Sequence, residues 1–69
     1  MRFNYSKLKG KILEVYKTQG AFAEALGVSI TTLNLKLNNK SEWNTLEIVR
    51  SCELLGIPLA EAHLYFFSV

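Results

Sequence analysis

Few side chains in this sequence could carry out catalysis. It has one cysteine, Cys52, and one histidine, His63, which lie in different predicted helices. A nucleophile and its base must be neighbours in space, and nothing in the sequence predicts that for this pair. Two such residues cannot complete a zinc site, and no glycine-rich phosphate loop is present. We therefore expect neither an enzyme nor a metal or cofactor site, with Cys52 as a small core residue.

The charged residues suggest a different chemistry, the binding of a polyanion. The net charge is only +2, but residues 1–19 carry five lysines and arginines against one glutamate. Residues 20–69 carry three against five glutamates. A basic end suits a polyanionic partner and suits a solvated lysine face equally well, so charge alone leaves both interpretations open.

Length and composition restrict the chain to one small domain, residues 1–69. A chain of this size buries only about 60% of the surface that its unfolded form exposes. Hydrophobic residues make up 49% and charged residues 20%, which is typical of a globular protein. A single cysteine excludes an internal disulfide, and no apolar run approaches the ~20 residues that span a bilayer. We expect a soluble, cytoplasmic protein that makes no membrane contact.

Apolar residues recur at helical spacing, which predicts an all-α, compact five-helix bundle. The expected helices cover about 6–17, 19–26, 30–38, 45–55 and 59–64, and a short aromatic tail follows at 65–69. Thr18, Ser29 and Asn44 are suitable N-cap residues for the second, third and fourth helices. Gly27 and Gly56 are suited to the left-handed conformation that ends a helix.

The segment from Thr18 to Lys40 combines two short helices with a turn that contains Gly27. This arrangement, at about 19–38, is typical of a helix-turn-helix unit. Phe22 and Leu33 would fill the core that the two helices share. The outer face of the second helix would then be free to enter a major groove.

The same segment resembles the Cro and phage-repressor (XRE-like) type of helix-turn-helix regulator. The matching residues are Thr18-Gln19, Phe22-Ala23, Leu26-Gly27-Val28-Ser29, Leu33 and Asn38-Asn39-Lys40. The helix that ends in LLGIP is also similar, and the resemblance covers roughly residues 6–64. The NYSKLKGKI opening and the LNLKLNNKSEW centre are most similar to short regulators from phages and prophages of Gram-positive bacteria.

Two positions depart from that family's pattern. Asn39 stands where many members have glycine, and asparagine also tolerates the left-handed conformation. Lys36 stands where an apolar residue is usual. Either the third helix is rotated slightly, or the stem of Lys36 lies along the core with its charge in water.

The resemblance implies a lambda-repressor-like domain that binds a double-stranded operator as a homodimer and regulates transcription, as a repressor does, in a bacterial host. The implied base-reading residues are Ile30, Thr31, Asn34 and Leu35, although Ile30 could instead belong to the core. The implied phosphate-binding residues are Gln19, Asn38, Asn39 and Lys40. The third helix has no arginine or glutamine, which removes the commonest contact to guanine and a usual contact to adenine.

An alternative function is a protein-interaction module of the same fold that binds and modulates another regulator, as an antirepressor does. The weak net charge, a Leu35 that could contact protein as well as DNA, and the aromatic tail all fit this alternative. Adjacent aromatic residues at 65–67 must point in different directions, which predicts an exposed patch and a dimer interface. The opposite hypothesis is that the tail folds back and completes the core of the monomer.

Overall fold

The secondary structure of this protein is helical. A computed structural model describes residues 2–69, which contain five α-helices and no β-strand. The predicted domain also includes residue 1, which lies outside this range. Within residues 2–69, no helix combines the length and apolar character needed to cross a membrane. The helices are α1 (Ser6–Tyr16), α2 (Gln19–Leu26), α3 (Ile30–Leu37), α4 (Thr45–Leu55) and α5 (Ala62–Phe66).

The starts of α2, α3 and α4 follow from local hydrogen bonds. The Thr18 hydroxyl accepts a hydrogen bond from the Ala21 amide at 3.0 Å, and the Ser29 hydroxyl accepts one from the next turn of α3. At α4, the Asn44 side chain accepts from the Glu47 amide at 2.8 Å, and the Glu47 carboxylate accepts from the Asn44 amide at 3.0 Å. Each cap satisfies an amide that the helix itself cannot pair. These three starts are as predicted.

Two glycines end helices in the left-handed conformation, also as predicted. Gly27 has φ 89° and ends α2, and Gly56 has φ 70° and ends α4. A side chain at these angles would be strained, whereas glycine has no Cβ to clash. Because Gly27 reverses the chain so sharply, α3 begins only three residues later, at Ile30 after the cap Ser29.

A single hydrophobic core lies between the helices. α2 is central, since it packs against α1, α3 and α4, and its Phe22 is completely buried. The whole molecule measures 25 × 25 × 21 Å. Its buried hydrophobic residues are Tyr5, Leu8, Ile12, Phe22, Ala23, Leu26, Leu33, Leu37, Cys52, Leu55, Ile57 and Phe66.

The end of the chain differs from the prediction of one helix at about 59–64. A single 3-10 turn covers Leu59–Glu61, and α5 then continues to Phe66. This extension turns the Phe66 ring into the core, where it is 1% exposed. The Asn4 amide donates to the Ser68 carbonyl at 2.7 Å, which joins the N-terminal segment to the end of the chain. The tail therefore completes the core of the monomer, and of its three adjacent aromatic residues only Phe67 is exposed. The predicted homodimer was expected to form through an exposed tail, and the burial of Phe66 removes this reason for it.

Candidate binding surface on α3

The four predicted base-reading residues lie together on the outer face of α3. Thr31 and Asn34 are exposed, and Ile30 and Leu35 are 43% and 44% exposed. Their spacing of one, three and four residues places them on one side of a helix that turns 100° per residue. Leu33 and Leu37 face the core instead. Ile30 is therefore a surface residue, not a core residue.

This outer face carries no charged side chain. Lys36 is the one charged residue in the sequence of α3, and it is only 6% exposed. Its ammonium group lies 2.8 Å from a carboxylate oxygen of Glu47 and donates to the Glu42 carbonyl at 2.9 Å. It also lies 5.8 Å from the centre of the Trp43 ring. The surface that α3 presents to a partner is consequently neutral and partly aliphatic.

The buried ion pair corrects both sequence-based explanations of Lys36. Its charge does not reach water along the core surface, and Leu33 and Leu37 remain buried, so no rotation of α3 compensates for it. The lysine is tolerated inside because Glu47 supplies a matching charge from the first turn of α4. A buried cation that lacked such a partner would be strongly destabilising.

Glu47 therefore has two tasks, capping α4 and neutralising Lys36. Burial by itself would raise the pKa of the Glu47 carboxyl. The hydrogen bond from the Asn44 amide, together with the hydrogen bond and charge of Lys36, outweighs burial and lowers that pKa below its ordinary value of 4.5. The carboxylate is thus held in its charged form, as the ion pair requires.

The predicted phosphate-binding residues occupy different environments. Gln19 is half-buried at the start of α2, and Lys40 is exposed after α3. The Asn38 side chain donates to the Asn34 carbonyl of its own helix at 2.7 Å. Asn39 has φ 61°, so it occupies the left-handed conformation that the sequence allowed for it. Contact of these four residues with phosphate stays a prediction.

Asn39 holds the N-terminal segment in place. Its side-chain oxygen accepts a hydrogen bond from the Phe3 amide at 2.9 Å, and its side-chain nitrogen donates to the Phe3 carbonyl at 2.8 Å. One amide thereby pairs both backbone groups of a residue that is 36 positions away. We refer to these two hydrogen bonds, together with the Asn4–Ser68 hydrogen bond, as the terminal clasp.

Replacing Asn39 by alanine is expected to lower the free energy of unfolding by about 2 kcal/mol. Two hydrogen bonds to Phe3 are lost, each contributing on the order of 1 kcal/mol, and alanine adds strain at positive φ. Asn39→Gly should lower the free energy of unfolding by less, because glycine is not strained at positive φ although it also lacks the two hydrogen bonds. Asn38→Ala is the matched control, since Asn38 is exposed and bonds only within its own helix. Urea denaturation measures all three; equal losses for Asn38→Ala and Asn39→Ala would contradict the clasp.

The terminal clasp places Arg2 beside the outer face of α3. A cleft of about 400 Å³ opens between them, and its lining combines two cations, three neutral polar side chains and one leucine. From the sequence, Arg2 was expected only to be part of a basic N-terminal end. The residue that could have indicated its position is Asn39. It adopts the left-handed conformation directly after α3, and its side-chain amide binds the backbone of Phe3. The cleft is lined by Arg2, Thr31, Asn34, Leu35, Asn38 and Lys40.

A second cleft of similar volume lies on the other side of the N-terminal segment. It is mostly aromatic, with Trp43 and Phe66 packed edge to face at 5.0 Å between ring centres. Trp43 therefore packs within the fold, between Tyr5 near the N-terminus and Phe66 of α5. Phe67 meets the Phe3 ring edge-on at 5.7 Å and remains 52% exposed.

Cys52 lies in the core, as predicted, and burial raises the pKa of its thiol. The thiol therefore stays protonated at neutral pH, in the form that is a poor nucleophile. Among residues 2–69, no three histidine, cysteine, aspartate or glutamate side chains come close enough to hold a metal ion.

The fold and the surface together describe a class of small, all-helical proteins. The candidate binding surface is one neutral helix face with basic residues at its end. The chain belongs to the family described as "Protein of unknown function (DUF739)", which matches residues 1–69. It is similar to a solved structure, the modulator of repression (MOR) of the temperate bacteriophage TP901-1 from Lactococcus lactis. The two are 42% identical, with a TM-score of 0.84, over 97% of this chain and 90% of that one. No curated protein matches the chain.

These comparisons correct the predicted membership of the Cro and phage-repressor type of DNA-binding regulator. A relative with 42% identity over almost the whole chain is a modulator of repression, and the family is a separate one. The motif residues that carried the resemblance, such as Phe22, Gly27 and Leu33, shape the core and the turn. Residues that shape a fold do not by themselves identify what its outer surface binds.

Proposed function

We propose that this chain is a protein-interaction module that binds another regulatory protein and modulates repression. The similarity to the phage modulator of repression is the observation that carries this proposal. The proposed role is that of a binding protein and not of an enzyme, acting in the cytoplasm of a bacterial host.

The surface of α3 supports a protein partner. A helix that lies in a DNA groove needs cations around it, because contacts to phosphate dominate the affinity for DNA. Here the lysine of α3 is paired inside the fold, and the outer face offers Ile30 and Leu35, each more than two-fifths exposed. Exposed aliphatic surface of this kind gains free energy when a partner's apolar surface covers it.

We also propose that α2, the turn at Gly27 and α3 form a helix-turn-helix unit that presents this face. The two helices have eight residues each, and only three residues separate them. In this proposal the unit is a scaffold for contacts with protein, and the partner is a repressor whose activity the chain changes by binding to it.

Leu35→Asp is expected to weaken binding to the repressor from the genome that encodes this chain by about tenfold or more. The substitution places a charge where an apolar side chain would be covered, and each 1.4 kcal/mol of lost affinity is a factor of ten. Leu46→Asp is the matched control, because Leu46 is 81% exposed on α4 and lies outside the cleft. Isothermal titration calorimetry measures both affinities, and circular dichroism checks that both variants fold. Equal affinities for the two variants would contradict the assignment of the surface to α3.

A further inference from the structure

We infer that the cleft between Arg2 and α3 binds an acidic side chain of the partner protein, with Arg2 and Lys40 contacting its carboxylate. This inference rests on the proposed function and adds the chemistry that the partner must present. In the inferred complex, the acidic side chain is an aspartate or glutamate of the partner, and Leu35 contacts an apolar residue next to it. The three neutral polar side chains in the cleft supply further hydrogen-bonding groups.

The first support is the charge of the cleft. Two of its six lining residues are cations and none is acidic. The ion pairs found within residues 2–69 are Lys11–Glu14 and Lys36–Glu47, so neither Arg2 nor Lys40 has a carboxylate within 4.0 Å. A partner's carboxylate would meet two exposed cations that no internal anion neutralises. Charge-assisted hydrogen bonds of this kind are about twice as strong as neutral ones.

The second support is that the structure fixes the backbone next to both cations. The backbone of Phe3, directly after Arg2, is fixed by two hydrogen bonds to Asn39. Asn39 itself directly precedes Lys40, and the Lys40 amide donates to the Leu35 carbonyl at 2.8 Å. The same short segment therefore anchors both backbones. Such an arrangement reduces the ordering that binding would otherwise require.

The position of the other cations favours a protein carboxylate over a DNA backbone. A duplex presents a track of phosphates and calls for cations at several points. None of the three lysines of α1 lines this cleft. The Lys7 ammonium lies 5.2 Å from the centre of the Tyr65 ring, and Lys11 is paired with Glu14. Two cations at one end of a neutral face match one carboxylate beside an apolar contact.

The test measures binding to the same repressor with the full-length chain. Arg2→Gln and Lys40→Gln should each weaken binding by about tenfold, the usual effect of losing one hydrogen bond to a charged group. Arg50→Gln, which removes an equally exposed cation from α4, is the matched control and should leave the affinity unchanged. Raising the salt concentration should weaken wild-type binding more than binding of the doubly substituted Arg2→Gln/Lys40→Gln chain.

A charge exchange identifies the partner's side chain. Each aspartate and glutamate on the repressor surface is changed to lysine and paired with Arg2→Glu. One of these repressor variants should bind Arg2→Glu at least tenfold more tightly than the unchanged repressor does. Failure of every acidic position to restore binding would overturn the inference.

The remaining outcomes separate this inference from the proposed function. If both glutamine variants bind like wild type while Leu35→Asp does not, the carboxylate site is wrong and the protein-binding function stands. If the wild-type chain binds no repressor, both fail together. A random-sequence DNA duplex is the second probe: salt-sensitive binding of the duplex that Arg2→Gln and Lys40→Gln abolish would assign the two cations to phosphate and overturn the inference.

Discussion

Phe66→Ala is expected to lower the free energy of unfolding by about 3–5 kcal/mol, whereas Phe67→Ala should lower it by about 1 kcal/mol. The two rings are neighbours in sequence but differ in environment: Phe66 is 1% exposed and Phe67 is 52% exposed. Removing the buried ring leaves a cavity beside Trp43, which meets Phe66 edge-on at 5.0 Å. Urea denaturation followed by circular dichroism measures both losses.

A milder substitution keeps this comparison measurable. A domain of this length has a total stability of only about 3–10 kcal/mol, so Phe66→Ala should leave a substantial fraction unfolded. Phe66→Leu should cost on the order of 1 kcal/mol more than Phe67→Leu, since leucine fills only part of the buried site. Equal losses at the two positions would show that the tail is not part of the core. A change of oligomeric state in Phe67→Ala, measured by sedimentation, would instead show that the exposed ring of Phe67 lies in a dimer interface.

Glu47→Gln is expected to destabilise the protein by about 3 kcal/mol, whereas Lys36→Met should change its stability by about 1 kcal/mol or less. The glutamine variant leaves the Lys36 ammonium inside the fold without a counter-charge. Methionine keeps most of the volume of the lysine stem and needs no partner. The doubly substituted chain should recover most of the stability that Glu47→Gln loses, which a double-mutant cycle in urea measures. Additive effects of the two substitutions would contradict a mutual dependence of the two charges.

The pH dependence of stability gives an independent check on the same pair. The folded-state pKa of Glu47 lies below its unfolded value, so the unfolded chain binds more protons in acid. The stabilisation is therefore complete above the ordinary pKa of about 4.5 and is lost as pH falls through the lower, folded value. Lys36→Met should show a smaller loss over this acidic range, since only the Asn44 hydrogen bond then remains to lower the pKa. Equal losses of stability in the wild-type protein and in Lys36→Met would show that Lys36 does not lower the pKa of Glu47.

Local features of the fold could be predicted from the sequence. Thr18, Ser29 and Asn44 each bind an amide three residues further on, so a short window of sequence contains all the information. The same is true of Gly27 and Gly56, whose positive φ depends on the absence of a side chain. The starts of α2, α3 and α4, the ends of α2 and α4, and the all-helical class therefore followed from pattern and propensity.

Features that depend on distant partners were not predictable in this way. The burial of Lys36 depends on Glu47 in the next helix, and the position of Arg2 depends on Asn39, far along the chain. Phe66 enters the core because α5 extends two residues beyond its predicted end at about residue 64. Each of these features requires the folded arrangement, which a one-dimensional pattern does not contain.

The outer face of α3 marks the point where sequence patterns stop indicating function. Thr31, Asn34 and Leu35 were correctly expected to be surface residues. The same three side chains suit the edge of a base pair and the surface of a protein, because hydroxyl, amide and methyl groups are found in both kinds of interface. Similarity to a modulator of repression and the internal pairing of Lys36, rather than these three residues, are what support the proposed protein partner.

The terminal clasp has a consequence for the order in which the molecule folds. Most of the packing joins helices that follow one another in the chain, such as α1 with α2 and α2 with α3, and such contacts close short loops. The hydrogen bond between Asn4 and Ser68 joins the two ends of the chain, which are the segments that open most easily in a folded protein. It should form last and open first, by a sub-global fluctuation that leaves the helices intact. An opening that went on to break the two hydrogen bonds between Asn39 and Phe3 would release Arg2 from the side of α3. The protein would then alternate between one binding surface with Arg2 in place and one without it while remaining folded.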